Sequence, residues 1–195
     1  MFCCAPGQAG DSILVLGDSL SAAHNMTPEL GWVALLDRQL DEMSCPADVV
    51  NSSISGETTA GALTRLPRLL EVNKPSIVII ALGGNDGLRG FPVSVMRDNL
   101  RQMVTLSQAA GAKVLIAGMK IPSNYGRRYT ESFASSFAAV AEENDTALLP
   151  FFLEGISEDE YLMQADTIHP NENAQPIMRD MIFQLVKPQL DCSER

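Results

Sequence analysis

The chain has 195 residues, with 24 acidic against 14 basic side chains (net charge −10) and a hydrophobic fraction of 46%. That length suits one domain rather than two, and a domain of this size buries roughly 70% of the surface its unfolded chain exposes, enough to fold without a disulfide or a metal. The acidity excludes a general pull toward nucleic acid or anionic lipid, no Lys/Arg run supplies a local exception, and no apolar stretch approaches the ~20 residues of a membrane span.

Met1 to Gly10 lacks both a basic segment and a long apolar one. It reads as an N-terminal extension, a tag or a leader remnant, ahead of a single domain at 11–190. Ser12 to Leu16 is a short apolar strand. Leu30 to Met43 has helical periodicity, with Trp32, Leu35, Leu36 and Leu40 on one face. Val49-Val50 starts a second strand. Thr58 to Leu70 looks helical, with a Thr cap and a helix-disrupting Pro67. Ser76 to Leu82 is apolar throughout, as a strand buried on both faces should be. Val93 to Ala110 is a helix closed by Gly111. Lys113 to Gly118 is a fourth strand, Glu131 to Glu143 a helix, and Ala147 to Leu149 a fifth strand. Gln175 to Val186 is a closing helix with Pro176 in its first turn.

Strands alternating with helices imply an α/β fold, a parallel sheet covered on both faces. Such sheets bind ligands at the carboxyl ends of their strands. The loops expected there are Gly17-Asp18-Ser19-Leu20-Ser21, Asn51 to Thr58, and Gly83-Gly84-Asn85-Asp86-Gly87, all rich in Gly and small polar residues.

A serine nucleophile needs a base, and the base needs an orienting acid. The chain has two histidines. His24 has no carboxylate close in sequence and reads as a surface or pocket-rim residue. His169 follows Asp166 by three residues, close enough for its Nδ1–H to reach that carboxylate within one turn, and Pro170 stiffens the chain beyond it. His169 is therefore the candidate general base, Asp166 its orienter and Ser19 the nucleophile. An imidazole suits proton exchange at neutral pH. Candidate oxyanion donors are the backbone N–H groups of Ser19 and Gly56 and the side-chain amide of Asn85.

Each of these signals is weak alone. Gly-Asp-Ser after a strand is commonly a turn, Asn between glycines usually serves a turn, and Asp-x-x-His occurs by chance. Met26, Met96, Met103 and Met119 read as packing residues, and Glu158-Asp159-Glu160 as a solvated face. Four weak signals in the order that one mechanism requires make the case. Cys3, Cys4, Cys45 and Cys192 are scattered without neighbouring His, which argues against a zinc site. Cys45 and Cys192 either pair in an oxidising compartment or remain free thiols.

Gly17-Asp18-Ser19-Leu20, Gly56, Gly84-Asn85-Asp86 and Asp166-x-x-His169-Pro170 resemble the motif blocks of the SGNH (GDSL) hydrolases, over nearly the whole chain. The resemblance extends to the branch of bacterial multifunctional thioesterases, lysophospholipases and arylesterases. It is carried by Leu82 to Gly90, Pro122 to Tyr129 and Leu148 to Phe152. It implies a three-layer αβα sandwich and no metal or organic cofactor. It gives Ser19, Asp166 and His169 as the triad, and Ser19, Gly56 and Asn85 as the oxyanion hole. It also implies a loop at Lys120 to Tyr129 over an acyl groove, with Asn124, Tyr125 and Gly126 as groove residues. Ala23-His24 stands where close relatives usually have Gly-Tyr, Glu57 where they have Asp, and Thr167 where a Gly is common.

The function implied is hydrolysis of esters or acyl thioesters, with a small molecule carrying an acyl chain as the substrate. No nucleic-acid partner and no stable membrane insertion are expected, and a monomer is the default. The resemblance implies export to the periplasm or beyond, whereas Met1 to Gly10 shows no complete signal. A carbohydrate O-acetylesterase on the same fold is the alternative. A non-catalytic lipid- or nucleotide-binding module is a further one. Against nucleotide stands the lack of a Gly-x-Gly-x-x-Gly after the first strand and of a Gly-x-x-x-x-Gly-Lys-Ser/Thr anywhere.

Overall fold

A computed structural model describes residues 11–43 and 47–190. The expected N-terminal extension and all four cysteines, including the candidate pair Cys45 and Cys192, lie outside the described residues. Five strands form one parallel sheet: β1 (Asp11–Gly17), β2 (Ala47–Asn51), β3 (Ile77–Ala81), β4 (Lys113–Ala117) and β5 (Ala147–Leu149). Their spatial order is β2-β1-β3-β4-β5. Every residue of β3 is buried, because its central strand is covered on both faces.

The helices are α1 (Trp32–Asp41), α2 (Thr59–Asn73), α3 (Gly84–Leu88), α4 (Val93–Ala109), α5 (Arg127–Glu143) and α6 (Gln175–Val186). α1 packs on α6, and α4 packs on both α2 and α5. Right-handed crossovers put the two groups on opposite faces of the sheet, which makes the expected three-layer αβα sandwich. Trp32 locks the α1–α6 layer. Its backbone N–H donates to the buried side-chain oxygen of Gln175 at 3.0 Å, and its ring meets that of Phe152 edge-on at 5.4 Å.

Three local expectations are corrected. The first helix starts at Trp32, because Pro28–Leu30 forms a separate 3₁₀ turn. α2 continues through Pro67 to Asn73, and Pro67 sits on its exposed face. α5 begins at Arg127, four residues before Glu131, in a polar stretch that carries no apolar periodicity.

The chain leaves β1 toward β2 on one side and returns to β3 on the other. The gap between the carboxyl ends of β1 and β3 is thus the topological switch point, where open α/β sheets bind ligands. Ser19 follows β1 and Asn85 follows β3, so both border this gap.

Candidate active site

The Ser19 turn is built by its neighbours. A Cβ on Gly17 would lie 2.6 Å from Ser21 Oγ and 2.8 Å from Ser53 Oγ, so no larger residue fits where the strand enters the turn. Asp18 then folds the chain over. Its carboxylate Oδ1 accepts the Leu20 N–H at 3.1 Å, and its carbonyl accepts those of Ser21 (3.1 Å) and Ala22 (2.9 Å). Ser19 is left half-buried at the head of this helical turn.

His169 arrives on a different loop. Asp166 Oδ1 accepts the N–H groups of both Ile168 and His169, each at 3.0 Å, closing a tight turn. The second carboxylate oxygen lies 2.7 Å from His169 Nδ1, and His169 Nε2 lies 2.9 Å from Ser19 Oγ. With Nδ1–H donated to Asp166, Nε2 is an acceptor for the Ser19 hydroxyl proton. The N–H of His169 is the largest cause that lowers the Asp166 pKa, to about 2. The His169 ring and the Ile168 N–H add to it, against a smaller contribution from burial. The loop is tied down by Gln164. Its N–H donates to His169 O at 2.7 Å, and its side-chain amide to the carbonyls of His24 (2.9 Å) and Pro170 (3.0 Å).

The three candidate oxyanion donors have free hydrogens. Among the described residues, the N–H groups of Ser19 and Gly56 donate to no protein acceptor. Gly56 adopts φ +79, a left-handed conformation that suits glycine, and its carbonyl accepts from Arg89 Nη2 at 2.9 Å. Asn85 spends one amide hydrogen on Asp18 Oδ2 at 3.2 Å and keeps the other. Burial raises the Asp18 pKa to about 6, in spite of the N–H of Leu20, the Asn85 amide and nearby His169.

An open groove of about 520 Å³ lies alongside. Leu20, Leu88, Ile121, Phe151, Leu153 and Ile168 give it apolar walls, and Lys120, Glu154 and Glu158 stand among its other lining residues. The loop of Lys120 to Pro122 forms part of this wall. The next residues do not. Tyr125 and Gly126 line a separate concavity beside Arg127 and Arg128, and exposed Asn124 lines neither. The Tyr125 hydroxyl donates to the carbonyl of Leu88, a groove-lining residue, at 2.7 Å.

Several contributors escape sequence reasoning. His24 is half-buried and packed against the ring of His169, with centroids 4.3 Å apart. Asp18, Gln164 and Arg89 act on the site through contacts distant in sequence. Asp86 does so too: it accepts from the N–H and hydroxyl of Thr59, tying α3 to the start of α2. Asp18 stood next to the nucleophile and its burial was the missing signal. Among the described residues no cluster of three His, Cys, Asp or Glu side chains is placed to hold a metal ion.

The chain is similar to known proteins over most of its length. Residues 15–175 match the GDSL-like lipase/acylhydrolase family. Esterase TesA of Pseudomonas aeruginosa is 48% identical, with 93% of this chain and 90% of that protein covered. Thioesterase 1/protease 1/lysophospholipase L1 of Escherichia coli K12 is 44% identical, with 92% and 85% covered. The crystal structure of psychrotrophic esterase EstA from Pseudoalteromonas sp., inhibited by monoethylphosphonate, superposes with a TM-score of 0.88 at 47% identity. It covers 91% of this chain and 97% of that one. The chain therefore belongs to the GDSL-like lipase/acylhydrolase family.

Proposed function

We propose that this protein is a serine ester hydrolase that cleaves carboxylic esters and acyl thioesters through an acyl-enzyme on Ser19. The observation that carries the reading is the continuous line from Asp166 Oδ2 to His169 Nδ1 (2.7 Å) and from His169 Nε2 to Ser19 Oγ (2.9 Å). Ser19 Oγ attacks the carbonyl carbon while His169 takes its proton. The carbonyl oxygen becomes an oxyanion held by the N–H groups of Ser19 and Gly56 and the free hydrogen of the Asn85 amide. His169 passes the proton to the departing alcohol or thiol. Water then enters, gives a proton to His169 and releases the acid, which restores Ser19.

The apolar groove beside Leu20 and Ile168 supports an acyl chain longer than acetyl. The resemblance of nearly the whole chain to exported enzymes of this branch supports a periplasmic location, with a monomer as the default form. Ser19→Ala tests the reading, with p-nitrophenyl esters from acetate to palmitate as substrates. Turnover should fall by at least ~10³-fold, with wild-type preference for chains beyond acetate. Equal turnover by both proteins would remove Ser19 from the chemistry, and activity confined to acetate would favour the O-acetylesterase.

A further inference from the structure

The two histidines of the chain come together at the triad. The rings of His24 and His169 lie with centroids 4.3 Å apart and planes tilted by 39°. Both nitrogens of His169 are already engaged in the ring plane, Nδ1 with Asp166 Oδ2 at 2.7 Å and Nε2 with Ser19 Oγ at 2.9 Å. Rotation of an imidazole about its bond to Cβ is a soft torsion, and it carries both nitrogens out of line. A neighbour on the ring face resists that swing, and His24 occupies such a place.

The fold fixes His24 there through both triad loops. Its N–H donates to the carbonyl of Ser19 at 3.3 Å. Its carbonyl accepts the side-chain amide of Gln164 at 2.9 Å, and the Gln164 N–H donates to the carbonyl of His169 at 2.7 Å. Gln164 thereby ties the main chains of the two histidines to each other. Ala23 and Asn25 flank His24 at φ +52 and +56, left-handed conformations that residues other than glycine seldom adopt. Such conformations persist where the surroundings over-determine them, and here the buried Ala23 methyl sits close over Gly31, where an added Cβ would stand 2.9 Å from it. The ring nitrogens of His24 have no hydrogen-bond partner among the described residues. What the side chain offers His169 is a flat face.

The need for that face changes during turnover. Once Ser19 is acylated, its hydroxyl proton is gone and the bond at Nε2 is lost, so Asp166 alone holds the ring by its edge. Water must then give a proton to Nε2 as its oxygen bonds to the acyl carbon. The bond from that carbon to Ser19 Oγ breaks, and Oγ takes the proton back. We infer that His24 is a positioning residue for this second half of the reaction, holding the His169 ring by its face while Ser19 carries the acyl group. The inference rests on the hydrolase reading for the acyl-enzyme and adds to it a residue that acts through the base.

The test compares the full chain with His24→Gln and His24→Ala, which remove the ring, and His24→Phe, which keeps a flat one. Acid quenching during turnover of saturating p-nitrophenyl butyrate, followed by intact-mass measurement, reads the ratio of acylated to free enzyme. That ratio should rise roughly tenfold in the Gln and Ala variants, because deacylation slows more than acylation, and return to within about threefold of wild type in His24→Phe. An unchanged ratio in the Gln and Ala variants, or a Phe variant no better than Gln, would overturn the inference. A second readout needs no turnover. In Ser19→Ala, which lacks the partner at Nε2, the downfield proton resonance of His169 Nδ1–H should persist with His24 or Phe at position 24 and broaden through water exchange with Gln. Absence of any acyl-enzyme in the wild-type chain would strike the hydrolase reading, and this resonance would still decide whether His24 holds the ring.

Discussion

Asp18 Oδ2 accepts the side-chain amide of Asn85 at 3.2 Å, so a buried acid in the Ser19 turn orients the amide proposed as an oxyanion donor. Removing that donor in Asn85→Ala should lower kcat by about 10²–10³ with little change in fold. A kcat within a factor of three of wild type would take Asn85 out of the oxyanion hole.

Burial lifts the Asp18 carboxyl from 3.8 to about 6, which has a signed consequence for stability. Between those values the native chain holds a proton that the unfolded chain has released. Stability from this group is complete below the unfolded pKa and is lost as pH rises through the folded one. Asp18→Asn has no such window. Its Tm relative to wild type should therefore climb from pH 4 to pH 7 and then level off. Its kcat should fall, because an amide at position 18 has one oxygen and cannot accept from both the Leu20 N–H and the Asn85 amide. Parallel Tm profiles for the two proteins would mean that Asp18 titrates normally.

Asp86 sets the companion loop. Its carboxylate accepts the Thr59 N–H at 2.9 Å and the Thr59 hydroxyl at 2.6 Å, and Thr59 Oγ1 accepts from Asn99 at 3.0 Å. All three residues are buried. Asp86 adjoins Asn85, and Thr59 follows Gly56 by three residues, so one network braces the loops of two proposed oxyanion donors. Asp86→Ala strands the Thr59 N–H and the Thr59 hydroxyl and should cost about 3 kcal/mol by urea denaturation. Thr59→Ser keeps every hydrogen bond and should cost about 1 kcal/mol or less. Equal losses would show that packing of the methyl group, not the polar network, holds the loop.

What the sequence made legible was what it stated locally. The β3 run is apolar because both its faces are covered, and the Asp166–His169 pair is close enough in sequence to be read as a turn. Two histidines left little choice of base. The five residues Gly84 to Leu88 form a helical turn that two glycines disguised as a loop. The contacts of Asp18 with Asn85, Asp86 with Thr59, and Arg89 with Gly56 span 67, 27 and 33 residues, and no local pattern announces them. Tyr125 and Gly126 line the concavity beside Arg127, and no local pattern announces the bond from the Tyr125 hydroxyl to the groove residue Leu88.

Thr167 carries strain inside the Asp166–His169 turn. Its φ is +58, a region that a β-branched residue rarely enters. Glycine is common at this position in the family that the sequence resembles. Thr167→Gly should relieve about 1 kcal/mol net of the added freedom of the unfolded chain, raising Tm by about 2–4 °C. The hydrogen bonds from Ile168 and His169 to Asp166 do not involve the Thr167 side chain, so kcat for a short ester should stay within about twofold by steady-state assay. A lower Tm would show that the threonine side chain makes a compensating contact.

Asp166 does two jobs with two oxygens, and substitution can separate them. Oδ1 caps the turn through the N–H groups of Ile168 and His169, and Oδ2 holds the His169 ring. With its pKa lowered to about 2, the carboxyl contributes its stabilisation fully above pH 4 and loses it only as pH falls through 2. An acid limb in kcat/KM between pH 5 and 7 therefore does not belong to Asp166. Asp166→Asn keeps an oxygen for the turn but offers Nδ1 a donor, which favours the tautomer with the proton on Nε2, where Ser19 needs an acceptor. Its kcat should drop by roughly 10⁴ while Tm above pH 5 changes little. Asp166→Ala should lose both the rate and several degrees of Tm, since two N–H groups then lack their acceptor. If the Asn and Ala variants melted alike, the turn would owe nothing to Oδ1, and the placement of His169 would have to come from the Gln164 bonds instead.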